Sequence, residues 1–320
     1  AIASTTVVVG GSLGLVSSAA ADGASVDQTA EGRAIPLDTL AYDPASYRPF
    51  VSDATADALS ALGPDEALLG ATSAELRRVG IGGTLTVDSG RTLTVKGEVP
   101  DAEVAGAEVL ISPGTAADLG IAVPRFLLAL PAGSLDDAAD AVRSAGADGP
   151  GLQVRTSEQT DWLRHADAVA PQALIKRDFG EFAVGAASGR EVTTDQAWVA
   201  ANIVTDTVPL LGEVRCHRRV IEPLRRALEA VESSGVEDAV NPGAFAGCFN
   251  ARGISPGSAL SRHSWGIALD LNVTGDPRGR DVSFAPELVD AMREEGFRSG
   301  ADWLVPDPAH FEFYPDPTPD

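Results

Sequence analysis

The sequence HSWGIALDLN, residues 263–272, decides the fold of the C-terminal third of this chain. From Gly266 onward, apolar side chains alternate with small or polar ones, which is typical of a half-buried β-strand. Asp270 lies on the open face of the predicted strand. His263 comes just before the glycine turn, so its side chain can fold back towards Asp270. The stretch therefore presents one imidazole and one carboxylate on the same side of a strand.

A second stretch, DPAHFE at residues 307–312, shows the same alternation. His310 and Glu312 share one face of the predicted strand, and phenylalanines occupy the other face. Asp307 lies just ahead of His310 between two prolines, which fix φ and stiffen the turn. A carboxylate held beside a metal ligand is well placed to take a proton from a water molecule on the metal.

Imidazoles and carboxylates on short segments are what a catalytic zinc ion needs, with three protein ligands and one position left open for water. The alternative is structural, because a lone histidine on an apolar strand usually satisfies its hydrogen bonds within the core. The chain has only 4 histidines, however, and two of them fall within these stretches. We therefore predict a metal site in this region.

Both stretches belong to a longer pattern, made of Arg252, Ser261, His263, Gly266, Ala268, Asp270, Asn272, Trp303, Asp307, His310, Phe311 and Glu312. This pattern resembles the family of zinc D-alanyl-D-alanine carboxypeptidases and L-alanyl-D-glutamate endopeptidases. The family includes VanY-type carboxypeptidases and phage endolysin peptidases and has the Hedgehog/DD-peptidase fold. The resemblance covers about the last third of the chain, from near Val208 to Tyr314.

The resemblance implies a role for each residue of the site. His263, Asp270 and His310 would bind Zn²⁺, and Asp307 would act as the general base. Arg252 would bind a carbonyl or carboxylate of the substrate and stabilise the oxyanion. The implied reaction is hydrolysis of an amide bond in the peptidoglycan stem peptide, usually next to a D-residue. Either the terminal D-Ala–D-Ala bond or the L-Ala–D-Glu bond fits, and a non-catalytic zinc-containing module or sensor that binds cell-wall peptide is the alternative.

Two further residues are candidates for binding the substrate. Ser261 lies within the pattern itself, and Trp303 either lines the cleft, as the resemblance implies, or packs in the core. Glu312 is a weaker candidate for a different task, which is to accept a hydrogen bond from the second ring nitrogen of His310 and fix its orientation.

The composition limits the classes of partner. A net charge of −22 argues against a nucleic-acid-binding or anionic-membrane-binding surface. With 320 residues, of which 44% are hydrophobic, the chain can form two domains with real cores. Residues 1–21 are apolar, small and uncharged, so they predict a signal peptide or membrane anchor, with a buried strand as the alternative. We expect an extracytoplasmic protein, either secreted or attached to the membrane through its N-terminus, that acts at the cell wall.

The remaining patterns divide the chain into an α+β arrangement. Residues 22–48 have no clear period and predict a linker, and residues 49–160 predict a small α+β domain of unknown role. Residues 161–193 predict a connector. The resemblance implies that residues 194–320 form a zinc peptidase domain with an antiparallel sheet and helices.

Cys216 and Cys248 are the 2 cysteines of the chain. In an exported protein an even pair indicates a disulfide, with two buried thiols as the alternative. The other two histidines, His165 and His217, are predicted to lie on the surface.

Overall fold

The computed structural model describes residues 2–147, 154, 156, 170–186, 188–254, 259–273, 282–301, 303 and 306–315. It confirms a mixed α+β fold. The N-terminal part contains the strands β1 (Ile2–Ala19), β2 (Ser25–Gln28), β3 (Arg33–Ala41), β4 (Glu66–Gly70), β5 (Thr84–Val87), β6 (Thr92–Val99), β7 (Val109–Ile111) and β8 (Val123–Pro131). Its helices are α1 (Pro44–Tyr47), α2 (Asp53–Ser60), α3 (Ala71–Arg77), α4 (Pro113–Asp118) and α5 (Leu135–Val142).

The C-terminal part begins with a helix that follows Pro171. Its elements in chain order are α6 (Gln172–Phe179), β9 (Val184–Ala186), β10 (Val192–Thr194), α7 (Gln196–Asn202), β11 (Ile203–Val208), β12 (Gly212–His217), α8 (Arg218–Ser234), β13 (Ala268–Asp270), α9 (Pro286–Glu294), β14 (Phe297–Gly300) and β15 (Asp307–Phe313). His165 lies outside the described residues, as does part of the predicted connector.

Six strands of the N-terminal part close into a ring. β1 pairs with β3 and with β5, and the circuit runs from β3 through β7, β4 and β6 back to β5. The alternation of the β5–β6 hairpin explains its inward face, because Leu85 and Leu93 are fully buried while the threonines between them are not. The apolar side chains inside this ring form one of the cores of the chain.

The first strand differs from the signal peptide or membrane anchor predicted for residues 1–21. β1 pairs in register with β3 from Val9↔Ala41 to Leu15↔Ile35, and Leu15 is completely buried. Small and β-branched apolar residues without charges are compatible with both a leader peptide and a buried strand. Here the segment forms a strand because β3 and β5 pair with it. Across the part of the chain that the structure describes, no helix is both long enough and apolar enough to cross a bilayer.

The predicted linker over residues 22–48 is also structured. It contains β2, β3 and α1, and seven consecutive residues of β3 are buried. β3 is covered on both faces, so its sequence lacks the alternation of apolar and polar residues that identifies a half-buried strand. The N-terminal unit therefore begins at β1 rather than at residue 49.

The connector continues the N-terminal sheet. β9 pairs with β3 through Ala34↔Val184, and β10 pairs with β9. An isolated bridge between Glu191 and Arg252 then adds a segment of the C-terminal part beside β10. The two parts of the chain are thus joined by backbone hydrogen bonds.

The C-terminal part has the antiparallel sheet that the sequence predicts, in the order β13–β15–β14. α8 is amphipathic, and its buried stripe includes Ile221, Leu224 and Leu228. Gly235 ends the helix in the left-handed conformation, with φ of 74°. α9 packs against α8 and leads directly into β14.

The disulfide is confirmed between Cys216 at the end of β12 and Cys248, with Cα atoms 5.2 Å apart. The prediction for His217 is wrong, because this residue is buried rather than on the surface. Its Nδ1 accepts a hydrogen bond from the backbone N–H of Arg219 and caps α8. Burial, together with Arg219 and Arg218, lowers the pKa of His217 to about 4.

The position of β1 in the ring predicts a large effect of Leu15→Ala on stability. Removing a fully buried leucine side chain should lower the free energy of unfolding by about 2–5 kcal/mol, measured by urea denaturation. Val7→Ala on the same strand is the matched control, because Val7 is exposed and should change stability by less than about 0.5 kcal/mol. Equal stabilities for wild type and Leu15→Ala would show that β1 is not part of the core.

Candidate metal centre

Three side chains from three separate elements meet at one point. His263 lies in a 3₁₀ turn, Arg262–Trp265, while Asp270 ends β13 and His310 lies in β15. The antiparallel register of β13 and β15 places Asp270 directly opposite His310. One potential ligand atom from each residue lies within 4.8 Å of the other two. The two motifs are far apart in the sequence but close in space, because β13 and β15, which belong to them, are neighbouring strands.

The distances among the three residues are those of a compact ligand set. Asp270 Oδ1 lies 2.7 Å from His310 Nδ1, and Asp270 Oδ2 lies 3.1 Å from His263 Nε2. The two imidazoles approach each other, with His263 Nε2 at 3.3 Å from His310 Nδ1. All of these nitrogen and oxygen atoms face the same small volume. Two imidazole nitrogens and a carboxylate fit a zinc ion with room for a further ligand.

The second ring nitrogen of each histidine faces an oxygen atom. His263 Nδ1 lies 2.9 Å from the carbonyl oxygen of Cys248, so the Nδ1–H donates to that oxygen and Nε2 is left as the ligand atom. His310 Nε2 faces Glu312 Oε1 at 3.5 Å, and both side chains are buried. The hydrogen bond to Cys248 orients the ring of His263 before any metal binds.

The turn that carries His263 depends on a glycine. Gly266 adopts φ of 67°, and a Cβ atom there would lie 2.8 Å from the backbone nitrogen of His217. The His217 N–H also donates to the Gly266 carbonyl oxygen at 2.8 Å. Any other residue at this position would push the turn away from β12. The glycine therefore fixes how closely His263 approaches the disulfide-linked segment.

The electrostatics of the site favour a proton on His310 when no metal is bound. Burial opposes the charged imidazolium, but hydrogen bonds to Asp270 and Glu312 outweigh burial and raise the pKa of His310 to about 10. Burial lowers the pKa of His263. Burial acts to raise the pKa of Asp270, yet its contacts with the two histidines hold that pKa well below its usual range. The carboxylate is thus ionised and ready to bind a cation.

The structure brings Arg252 to the same site. Its Nη2 lies 3.5 Å from Asp270 Oδ2, and its side chain is one-fifth exposed. Its backbone is fixed from both directions by Ser264, whose Oγ accepts from the Arg252 N–H at 3.0 Å and donates to the Arg252 carbonyl at 2.9 Å. The sequence analysis did not single out Ser264.

The other predicted residues lie around the three ligands. Ser261 is buried and its N–H donates to the Arg252 carbonyl oxygen at 3.0 Å, so it supports Arg252 through the backbone. Trp303 is partly exposed, and its ring centroid lies 5.0 Å from that of His310. Asp307 is the first residue of β15, where the pairing with β14 shifts register between Ser299 and Gly300. Regular strand alternation therefore does not extend from Asp307 to His310.

Two supports of the site were missed by the sequence analysis because they are not visible as motifs. The acceptor for His263 is the main-chain carbonyl of Cys248, and any residue type would supply it. Arg262, next to His263, is buried and donates from Nη2 to the Ala170 carbonyl oxygen at 2.9 Å. Arginine is seldom buried, but the sequence alone does not show that this one is.

Comparison with known proteins agrees with this geometry. Residues 255–313 match the sequence profile of a family described as D-alanyl-D-alanine carboxypeptidase. The matched region contains His263, Asp270 and His310 and excludes Arg252, which lies just ahead of it. No curated protein and no solved structure matches the chain. The family match supports a metallopeptidase in the C-terminal region, and the ligand set could bind its metal.

The raised pKa of His310 predicts proton release when metal binds. Below about pH 10 the imidazole is protonated in the metal-free protein, and a metal ligand must be neutral, so binding has to expel the proton. Apparent zinc affinity should therefore rise about tenfold for each pH unit in this range. Calorimetry at pH 7 in buffers of different ionisation enthalpy should show about one proton released per zinc ion.

His217→Asn is the control for this measurement. Asparagine can still cap α8, and His217 is already neutral at pH 7 because its pKa is about 4. The number of protons released should stay the same in this variant. Zinc binding without proton release in the wild type would contradict the assigned charge of His310.

Proposed function

We propose that this chain is a zinc-dependent peptidase that hydrolyses an amide bond of the peptidoglycan stem peptide. The observation that carries the proposal is the convergence of His263, Asp270 and His310 within a region that matches D-alanyl-D-alanine carboxypeptidases. Two activities of this class fit, namely removal of the terminal D-alanine and cleavage of the L-Ala–D-Glu bond.

The three ligands hold the metal, which would polarise the scissile carbonyl group and lower the pKa of a water molecule when bound. Zinc is the proposed ion because two imidazoles and one carboxylate suit it, and a three-residue set leaves a position open for catalysis. Asp270 neutralises part of the positive charge. Cys248, through its carbonyl oxygen, and Glu312 orient the imidazoles of His263 and His310.

Asp307 is proposed to move the proton. It would accept a proton from the attacking water and return it to the leaving amine, as a general base and then a general acid. Its position at the start of the strand that carries His310 supports this assignment. The flanking Pro306 and Pro308 restrict the backbone around it.

Arg252 is proposed to stabilise negative charge on the substrate. Its guanidinium already lies at the edge of the ligand set, and its backbone is fixed by the hydroxyl of Ser264. A well-placed donor to a developing oxyanion is typically worth roughly 3 kcal/mol of transition-state stabilisation. The same charge would attract a substrate carboxylate, which a carboxypeptidase must recognise.

The remaining candidates are proposed to shape the cleft. Trp303 stands beside the ring of His310 and is partly exposed, so one face is available for the peptide. Ser261 is too buried to be a direct contact through its side chain, and we propose that it acts by supporting Arg252. The proposed partner is a stem peptide that contacts Trp303 and Arg252.

The proposed location is outside the cytoplasm. Cell-wall carboxypeptidases act there, and the disulfide between Cys216 and Cys248 is typical of oxidising compartments. The stretch for which the sequence predicts a signal peptide or membrane anchor contains β1, so it does not support membrane attachment.

The test of this function is digestion of purified muropeptides by the zinc-loaded protein, followed by mass spectrometry. Loss of one alanine would identify the carboxypeptidase, and cleavage between alanine and glutamate the endopeptidase. His263→Ala should lose both zinc and activity, whereas His217→Asn should keep both. A wild-type chain that binds one equivalent of zinc, yet releases no fragment from any stem peptide, would instead indicate a non-catalytic binding module.

The role of Asp307 gives a separate prediction. Asp307→Asn should retain zinc but lower the rate of cleavage by about 10²–10⁴-fold, which is the usual contribution of a positioned base. Asp290→Asn is the matched control, because Asp290 lies on the exposed face of α9 and pairs only locally with Arg293. Wild-type turnover by Asp307→Asn, measured at saturating zinc, would remove Asp307 from the mechanism.

A further inference from the structure

Helix α6 lies between the N-terminal sheet and the metal centre, and one of its faces is anchored in the sheet. Lys176 is buried, and its Nζ donates at 2.6 Å to both the Pro36 carbonyl oxygen and Glu108 Oε1. Gln172, one turn earlier, donates from Nε2 to the Pro36 carbonyl oxygen at 3.0 Å and to Glu108 Oε2 at 2.7 Å. Glu108 is completely buried beside β7. This group of polar contacts is referred to below as the α6 anchor.

The anchor extends beyond the end of the helix. Glu181 follows α6 and lies 3.1 Å from Lys176 Nζ. It also pairs with Arg77 of α3, which is buried and lies 3.3 Å from Asp27 of β2. Buried charges are stable only when they are paired. The position of α6 is therefore fixed by three charged residues of the N-terminal part, Asp27, Arg77 and Glu108.

The two ends of α6 hold the turn that carries His263. Ala170, just before the helix, accepts a hydrogen bond from Arg262 Nη2 at 2.9 Å. Gly180, just after the helix, accepts one from Trp265 Nε1, also at 2.9 Å. Both donors belong to the same 3₁₀ turn, and His263 lies between them. The turn that carries His263 is thus held by hydrogen bonds to two carbonyl groups, one at each end of α6.

Aromatic packing strengthens this contact. Phe182, which follows α6, packs against Trp265 with ring centroids 5.0 Å apart. It also packs against Trp198 of α7, with centroids 4.4 Å apart. Trp265 is almost completely buried. The turn therefore cannot move without disturbing the segment that follows α6.

We propose that Arg262 and Trp265 are positioning residues that set the orientation of the metal ligand His263 through α6. In this arrangement the N-terminal part is a structural component of the metal centre rather than a spacer. Neither residue touches a reacting atom. The inference rests on the proposed function only for the presence of a metal, and it concerns how strongly the metal is bound.

A second link between the two parts leads to Arg252. The Val192 N–H of β10 donates to the Ala251 carbonyl oxygen at 3.1 Å, and the Gly253 N–H donates to the Arg190 carbonyl oxygen at 2.7 Å. Because β10 pairs with β9 and β9 with β3, the backbone of Arg252 is the next segment of the N-terminal sheet. The N-terminal part thus supports both the ligand and the cation of the site.

The experiment measures zinc affinity in the full-length chain by competition with a chromophoric chelator. Arg262→Met should weaken zinc binding about 10- to 100-fold, as loss of a residue that orients a ligand usually does. Arg262→Lys should recover part of the affinity, because its ammonium group can still donate to the Ala170 carbonyl. Lys176→Met, at the other end of the connection, should also weaken zinc binding, although Lys176 contacts no ligand.

Arg225→Met is the matched control for loss of an arginine that donates to a carbonyl group. Arg225 Nη1 donates to the Thr207 carbonyl oxygen at 2.7 Å, and this contact lies between α8 and β11. Its replacement removes the same charge and a comparable hydrogen bond to a carbonyl group, together with its contacts to Asp206 and Glu222. Zinc affinity should be unchanged in this variant.

Thermal unfolding with excess chelator separates positioning from simple stability. A lower melting temperature of Arg262→Met together with wild-type zinc affinity would overturn the inference, as would wild-type affinity in Lys176→Met. If Arg262→Met does not fold, Trp265→Phe decides, since it keeps an aromatic ring and removes the donor to Gly180. Wild-type zinc affinity in Trp265→Phe would then count against the inference.

The proposed function and this inference fail separately. If the chain binds zinc but cleaves no stem peptide, the proposed function is wrong. The inference still holds in that case, provided that the variants weaken zinc binding. If the chain cleaves stem peptide but its zinc affinity is unchanged by substitution of Arg262, Trp265 or Lys176, the proposed function holds and the inference is wrong.

Discussion

The carboxylate of Asp270 is the group on which the site depends. One oxygen contacts His310, and the other contacts His263 and lies near Arg252. These contacts hold one anion among three groups that carry or can carry positive charge, within a chain whose net charge is −22. Without Asp270, two imidazoles and a guanidinium would face one another in a buried volume. A divalent cation would replace the proton on His310 and would meet an ionised carboxylate already in place.

Local pattern was enough to predict that His263, Asp270 and His310 lie close together, because each lies in or beside a short stretch whose alternation is visible in the sequence. The alternation around Asp270 and around His310 identifies two strands and their polar faces, and both strands are present. The two cysteines likewise paired as predicted. The role of Asp307 remains a proposal, because the register shift at the start of β15 interrupts the alternation from which its direction would be read.

What the sequence could not predict depends on contacts between distant residues. The first strand has the composition of a leader peptide, and only its pairing with β3 and β5 identifies it as part of the ring. His217 stands between basic residues and looks exposed, yet its ring caps α8 from within the core. Lys176 and Glu108 are separated by 68 residues, and neither residue alone signals a buried pair.

The dependence of the metal centre on distant parts follows from the size of its own strands. β13 has 3 residues and β14 has 4, and this small sheet carries only Asp270 and His310, since His263 lies in the turn outside it. A catalytic metal site with an open position needs its ligands held closely in place, because fewer ligands are available to impose the geometry. The missing rigidity comes from outside the sheet, through the Cys248 carbonyl and the two ends of α6. If Arg262 and Trp265 position His263 as proposed, the N-terminal ring supports the site by holding α6, to which the turn of His263 is hydrogen-bonded.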